Sequence, residues 1–299
     1  MAASSADDVT TRCFHVDVFA TGPLSGNGLT VFLDTDGWST SAMQRLTQEM
    51  RQFESIFLSG IGPAEATARV FTVEEELPFA GHPVLGAAAV LHRQLAPEAA
   101  TREWTLLLAH GPVTVRTERR AGHWLAEMNQ GQATNGAAVA PEKLQPILAR
   151  LSLNVPDLAP GLPARVLSTG LPYLVVPVRP EALARTAIRA DDLEAQLDAL
   201  GAKFVFVLDV ENRELRTWDN FGRVEDVATG SAAGPAAAYL IGESLADPTE
   251  PITLQQGRFA GRPSQIEVQR RADGALLVRG AVWPVYRGEL ELEAAELRR

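Results

Sequence analysis

Glu54 lies in the stretch RQFESIF, directly after Phe53 and shortly before Ile56 and Phe57. A carboxyl group among large apolar side chains is costly to ionise. Its pKa is therefore expected above the usual carboxylate range, which suits a group that takes up and returns a proton near neutral pH. Two other stretches put glycine where the chain enters an Ala-rich helix, Gly81-His82-Pro83 and Gly230-Ser231. The amides at a helix start carry partial positive charge and attract carboxylates or phosphates, and glycine lets a ligand come close. Pro83 suits the first helical position after a His82 cap, and Ser231 is a good cap in its own right. Pro235 removes an early hydrogen bond and is expected to delay the second helix by one or two residues. These residues describe a crevice for a small anion with one acid/base group beside it.

Other chemistries lack their parts. His15, His92, His110 and His123 form no H-x-x-x-H or H-E-x-x-H pair, and the run Glu74 to Glu76 has no ligand-spaced His or Asp, so it reads as a solvated loop face. No metal is expected. Ser231 has no glycine two positions before it, as the nucleophile elbow G-x-S-x-G requires, and no G-x-G-x-x-G or Walker pattern occurs, so neither a serine hydrolase nor a nucleotide or nicotinamide cofactor is implied. With 37 acidic and 27 basic residues the net charge is −10, a field that repels phosphate backbones and argues against a nucleic-acid partner. Cys13 is the single cysteine, which fits a reducing cytoplasm. The opening MAASSADDVTTR reads as a loose tail rather than an export signal, and no apolar run approaches the roughly 20 residues needed to cross a bilayer.

At 299 residues the chain is near the size at which one core becomes two. CFHVDVF and LTVFL read as strands around a Gly/Ser-rich loop, and TSAMQRLTQEMR as an amphipathic surface helix with a capping hydroxyl at Thr40. VLGAAAVLHRQL has no polar face in its first half and belongs inside a domain. WTLLLA, GPVTVRTE and HWLAEMN supply antiparallel strands around it. The same pattern then returns. Laying Gly81 on Gly230 aligns GHPVLGAAAVL with GSAAGPAAAYL and Glu76 with Glu225, and SGNGLTVF pairs with TGLPYLVV in a similar register. KFVFVLDV, ELRTWDN, SQIEVQR and ALLVRGAVW supply the second half's strands. The expected fold is α+β, in two similar halves, each a curved, mostly antiparallel sheet or open barrel around a central helix. The expected boundaries are 12–129 and 141–299, with 130–140 as an aperiodic linker and the last strand free to return to the first half.

Six stretches, in order along nearly the whole chain, resemble the PhzF-like family of phenazine biosynthesis, which shares a duplicated fold with diaminopimelate epimerase. They are VDVFATGPLSGNG, QEMRQFESIF, FTVEEELPFAGHPVLG, STGLPYLVVPV, EDVATGSAAGPAAAYL and QQGRFAGRPSQIEV. The resemblance implies a cofactor-independent isomerase of secondary metabolism that acts on a small carboxylated, cyclic metabolite, and it implies a homodimer. It makes Glu54 the general acid/base, with His82 and Asp226 assisting catalysis or binding the substrate's amine or hydroxyl. Gly81, Gly230, Ser231, Asn27 and Thr229 are then expected to contact the substrate. Asp226 read alone is equally an ordinary turn cap. The sequence departs from the family pattern at Val227, at the turn Gly26-Asn27-Gly28, and at Phe53, where the family has serine. The epimerase branch inverts a centre with two cysteines, and Ala80 and Thr229 hold those positions here, which excludes a two-base racemisation through them. The alternatives are an epimerase or lyase using the same Glu54, and a catalytically silent small-anion-binding protein.

Overall fold

The computed structural model describes residues 11–292 and 294–298. Most of the expected N-terminal tail lies outside these residues, although its last two are part of the fold: Thr11 is buried and Arg12 opens the first strand. Two compact units divide the chain, one ending at Met128 and resumed from Ala281, the other Asn129–Gly280.

In the first unit β1 (Arg12–Val18) pairs antiparallel with β2 (Asn27–Phe32). After helix α1 (Thr40–Met50), β3 (Glu54–Ser59) runs parallel to β2. β4 (Glu65–Thr72) pairs with β3, carries the short β5 (Glu76–Leu77), and lies parallel to β6 (Thr101–Leu108). β7 (Gly111–Arg119) and β8 (Trp124–Gln132) follow as antiparallel neighbours. The chain's long final strand, Ala275–Glu289, pairs with both β1 and β8 and closes an eight-strand barrel. Helix α2 (Gly81–Leu95) fills it and is buried from Gly81 to His92. An α-helix this close to a wall needs a gap in its own surface. At Gly86 an added Cβ would lie 2.4 Å from Leu29 Cδ2 and 3.0 Å from Val18 Cγ2. Outside the barrel Phe32, Phe57, Phe71 and Trp38 pack against α1 through Met43 and Leu46. Strands β2 and β3 are thus covered on both faces, as parallel pairs usually are, and so read as nearly continuous apolar runs.

The second unit repeats this plan. It contains β9 (Thr134–Ala138), α3 (Pro141–Arg150), β10 (Arg165–Ser168), β11 (Pro172–Val178) and the short helices α4 (Pro180–Leu183) and α5 (Leu193–Asp198). β12 (Phe204–Asp209), β13 (Glu214–Trp218) and β14 (Glu225–Asp226) lead into α6 (Gly230–Gly242), and β15 (Ile252–Gln256), β16 (Ser264–Arg270) and β17 (Ala275–Glu289) complete it. The parallel pairs β11/β12 and β13/β15 match β2/β3 and β4/β6. An arginine fork also recurs. Arg69 holds Glu76 at 2.7 and 2.6 Å, and Arg216 holds Glu225 at 2.8 and 2.7 Å, so the two aligned glutamates pin the two short strands that precede the central helices.

Several local expectations are corrected. Residues 130–140 are mostly strand, because β8 runs to Gln132 and β9 bonds to β10 through backbone groups that require no apolar pattern. The cap of α1 is Ser39, whose Oγ accepts from the Ala42 amide at 3.2 Å, not Thr40. Helix α2 is capped by Ala80, so Pro83 is its third residue, where a missing N–H still costs nothing. Helix α6 starts at Gly230 despite Pro235, and only the Ser231 carbonyl loses its partner six positions into the helix. Helix α3 was not foreseen, although Pro141, Leu144, Ile147 and Leu148 carry its signal; it covers β11 together with α5. Among the described residues no helix is long and apolar enough to cross a membrane.

Candidate active site

Glu54 opens β3, and the parallel register sets it beside Leu29 of β2. Side chains alternate along a strand. Leu29 meets Gly86 of α2, so Glu54 and Ile56 share the barrel-facing side, while Ser55 and Phe57 face outward. Phe57 accordingly belongs to the outer cluster with Phe32 and Trp38, and Phe53 is 40% exposed. Of the three apolar neighbours expected to dry the carboxyl, only Ile56 is on its side. The dryness comes instead from the barrel interior and α2, and Glu54 is 5% exposed.

The first turn of α2 faces this carboxyl. His82 Nδ1 lies 3.3 Å from Glu54 Oε2, and His82 is 6% exposed. Its Nε2 is buried without a hydrogen-bond partner. Burial pushes the imidazole down to about 3, so it is neutral at physiological pH. Gly81 is the first helical residue, and Ala80 offers no side-chain cap, so the opening amides are left for another acceptor. Asn27 is buried at the start of β2, two residues before Leu29 and therefore on the same face as Glu54. The loop leading to it is tight: Gly26 has φ +70 and an added Cβ would sit 2.5 Å from the Val18 carbonyl oxygen. Asp17 Oδ2 ties this loop down by accepting from the Leu24 amide at 2.9 Å. Structure thus groups Glu54, His82, Gly81 and Asn27.

The second unit groups Asp226, Thr229, Gly230 and Ser231. Asp226 Oδ1 accepts from the Ala228 amide at 3.2 Å and Oδ2 from the Thr229 hydroxyl at 2.5 Å, so the aspartate does shape the turn before α6. Thr229 is the N-cap residue, yet its hydroxyl is committed to Asp226 and does not cap the helix. Like α2, α6 therefore begins without a side-chain cap. Ser231 Oγ is 2.7 Å from the Tyr173 hydroxyl, and the Gly230 carbonyl accepts from Gln130 Nε2 at 2.8 Å. Tyr173, Gln130 and Gln256, which bonds to Thr229 at 2.9 Å, were not singled out from the sequence. Tyr173 and Gln256 do lie in the stretches STGLPYLVVPV and QQGRFAGRPSQIEV, but a neutral side chain carries no sign of whom it will bond. Among the described residues no group of three or more His, Cys, Asp or Glu is placed to hold a metal ion.

A chain with this duplicated plan is similar to several known proteins. The profile of the phenazine biosynthesis-like protein family matches residues 16–288. A trans-2,3-dihydro-3-hydroxyanthranilate isomerase of Pseudomonas aeruginosa is 34% identical over 268 residues, covering 88% of this chain and 91% of the relative. An uncharacterised isomerase of Escherichia coli is 29% identical over 273 residues, covering 86% and 89%. Among solved structures, a predicted epimerase of Pseudomonas aeruginosa is 52% identical with a TM-score of 0.88, covering 94% of this chain and 99% of that one. On this footing the chain is an isomerase, and it belongs to the phenazine biosynthesis-like protein family.

Proposed function

We propose that this isomerase relocates a proton within a small carboxylated, cyclic metabolite, without a bound cofactor, and that Glu54 is the group that takes the proton and returns it. The observation that carries this reading is the Glu54–His82 pair, both groups buried and 3.3 Å apart at the uncapped start of a central helix. Burial disfavours the ionised form of a carboxyl group, so a carboxylate kept from water is a stronger base than one in solution and readily holds the proton it takes. When it removes one from carbon, the charge left on the substrate is best met by fixed dipoles, which helix amides supply without reorganising. In the first unit the amides at Gly81 are the proposed carboxylate binders, with neutral His82 and Asn27 offered to polar groups of a substrate. In the second unit Gly230 and Ser231 are the matching proposed carboxylate binders, and Asp226 is the acceptor for an amine or hydroxyl. Thr229 serves mainly through Asp226.

Ala80 and Thr229 are the N-cap residues of α2 and α6, and neither side chain takes a proton at neutral pH, so a single carboxylate acting on one face is the economical mechanism. The relative that acts on trans-2,3-dihydro-3-hydroxyanthranilate supports the substrate class. Action as a cytoplasmic homodimer is part of the same proposal. The test is incubation in deuterated water with cyclic amino acids and dienyl carboxylates, followed by mass spectrometry. Label is expected at one carbon for wild type, with a drop of at least about 10³-fold for Glu54→Gln. Label with inversion of a centre would indicate an epimerase, and near wild-type labelling by Glu54→Gln would remove Glu54 from its role.

A further inference from the structure

We infer that Gln256 is a positioning residue of this site: its side-chain amide fixes the direction of the Thr229 hydroxyl and thereby holds Asp226 as a pure hydrogen-bond acceptor. That Asp226 serves the reaction rests on the function proposed above; the hydrogen-bond relay itself does not.

Gln256 ends β15 and is 1% exposed, so water cannot substitute for its bonds. Two backbone groups fix which way its amide faces. The Thr229 N–H can only donate, and it meets Oε1 at 2.9 Å; the Asp226 carbonyl can only accept, and it meets Nε2 at 2.7 Å. A flipped amide would oppose donor to donor and acceptor to acceptor. The remaining Nε2 hydrogen therefore goes to Thr229 Oγ1 at 2.9 Å. That bond occupies the hydroxyl's accepting side and directs its own hydrogen to Asp226 Oδ2 at 2.5 Å. The Ala228 amide serves Oδ1. Both carboxylate oxygens thus receive a donor, an arrangement that favours the ionised form and leaves Asp226 able to accept from a substrate amine or hydroxyl.

The backbone locks this relay in place. Gly257 has φ +80, and a Cβ there would lie 2.3 Å from the Arg262 carbonyl oxygen and 2.5 Å from that of Val227, so the turn after Gln256 packs on the turn after Asp226. Of the charged residues nearby in sequence, Glu225 pairs with Arg216, Arg258 pairs with Glu214 and Arg223 lies over the Phe221 ring, while Arg262 follows on the turn that packs against Gly257; the substitutions below leave all of them in place.

The experiment is a carbon-13 carboxyl NMR titration of the whole enzyme, with the Asp226 signal assigned from Asp226→Asn. Gln256→Met keeps the length of the side chain but removes the amide that directs the Thr229 hydroxyl, and Thr229→Val deletes the relay; both should raise the Asp226 midpoint, Thr229→Val by at least about one pH unit. Thr229→Ser restores the hydroxyl and should return it to the wild-type value. If Gln256→Met does not fold, Gln256→Asn, whose shorter amide cannot reach Thr229 Oγ1, takes its place, and a wild-type Asp226 midpoint in a folded Gln256 variant overturns the proposal. An Asp226 midpoint that stays at the wild-type value in a folded Thr229→Val would overturn the proposal. Because this readout needs no turnover, a shifted midpoint together with an Asp226→Asn variant of full activity would leave the relay standing and refute the function instead.

Discussion

Replacing His82 with glutamine tests the physical core of the site, the claim that burial keeps this imidazole neutral beside Glu54. The folded-state pKa is lowered from 6.5 to about 3 by desolvation. A group whose folded pKa lies below its unfolded value contributes fully above the unfolded pKa, and that contribution is lost as pH falls from about 6.5 toward about 3, because the unfolded chain takes up a proton that the folded one refuses. Each pH unit across this window is worth at most the general conversion of one pKa unit into free energy, and the loss between pH 6.5 and 4.5 is on the order of 2 kcal/mol. Urea unfolding of wild type and His82→Gln at pH 6.5, 5.5 and 4.5 isolates this component, since every other group titrates in both. Wild type should lose about that much more stability than the variant over the interval. In parallel, nitrogen-15 NMR should show a neutral His82 ring down to pH 4.5. Equal acid sensitivity of the two proteins, or a ring that charges near pH 6.5, would refute the reasoning. The second result would mean that the proton rests on His82 and that Glu54 is an ion-paired carboxylate, too weak a base for the proposed step.

Gly86→Ala should destabilise the protein even though alanine favours helices by about 1 kcal/mol, because the new methyl would meet Leu29 and the two stiff valines Val16 and Val18, an overpacking worth about 1–3 kcal/mol. Differential scanning fluorimetry reads the sign, and a raised melting temperature would show that the barrel wall yields. Arg216→Lys should cost about 2–4 kcal/mol in the same assay. It loses the fork to Glu225 and carbonyl bonds to Leu183 and Thr186, and the guanidinium's place 4.7 Å from the Trp218 ring and 4.4 Å from that of Phe259. The matching Arg69→Lys, in a fork open to solvent, should cost clearly less.

Much of the fold was legible because the duplication writes it twice. A helix with no polar face can exist only inside something, and Gly81 and Gly230 mark where two such helices begin. The strands around them alternate or run apolar according to whether one face or both are covered. What escaped was local and polar: helix starts shifted by one to three residues around Ala80 and Thr229, since capping depends on where neighbouring chains pass, and β9, whose residues Thr134–Ala138 pair through backbone alone.

For the site, residue types and order by themselves determined that Glu54, His82 and the two glycine-led helix starts were the groups with chemistry to offer, because carboxyl, imidazole and free amides are properties of residues and of chain direction. Tertiary structure alone decided what surrounds them. The parallel register of β2 and β3 turned Glu54 inward and Phe57 outward, and the packing of α2 brought His82 to 3.3 Å from the carboxyl. The folded chain likewise placed Gln256, 30 residues downstream of Asp226, where its amide could set the direction of a hydroxyl. Burial and hydrogen-bond direction belong to distances between segments far apart in the chain, and only folding establishes those distances.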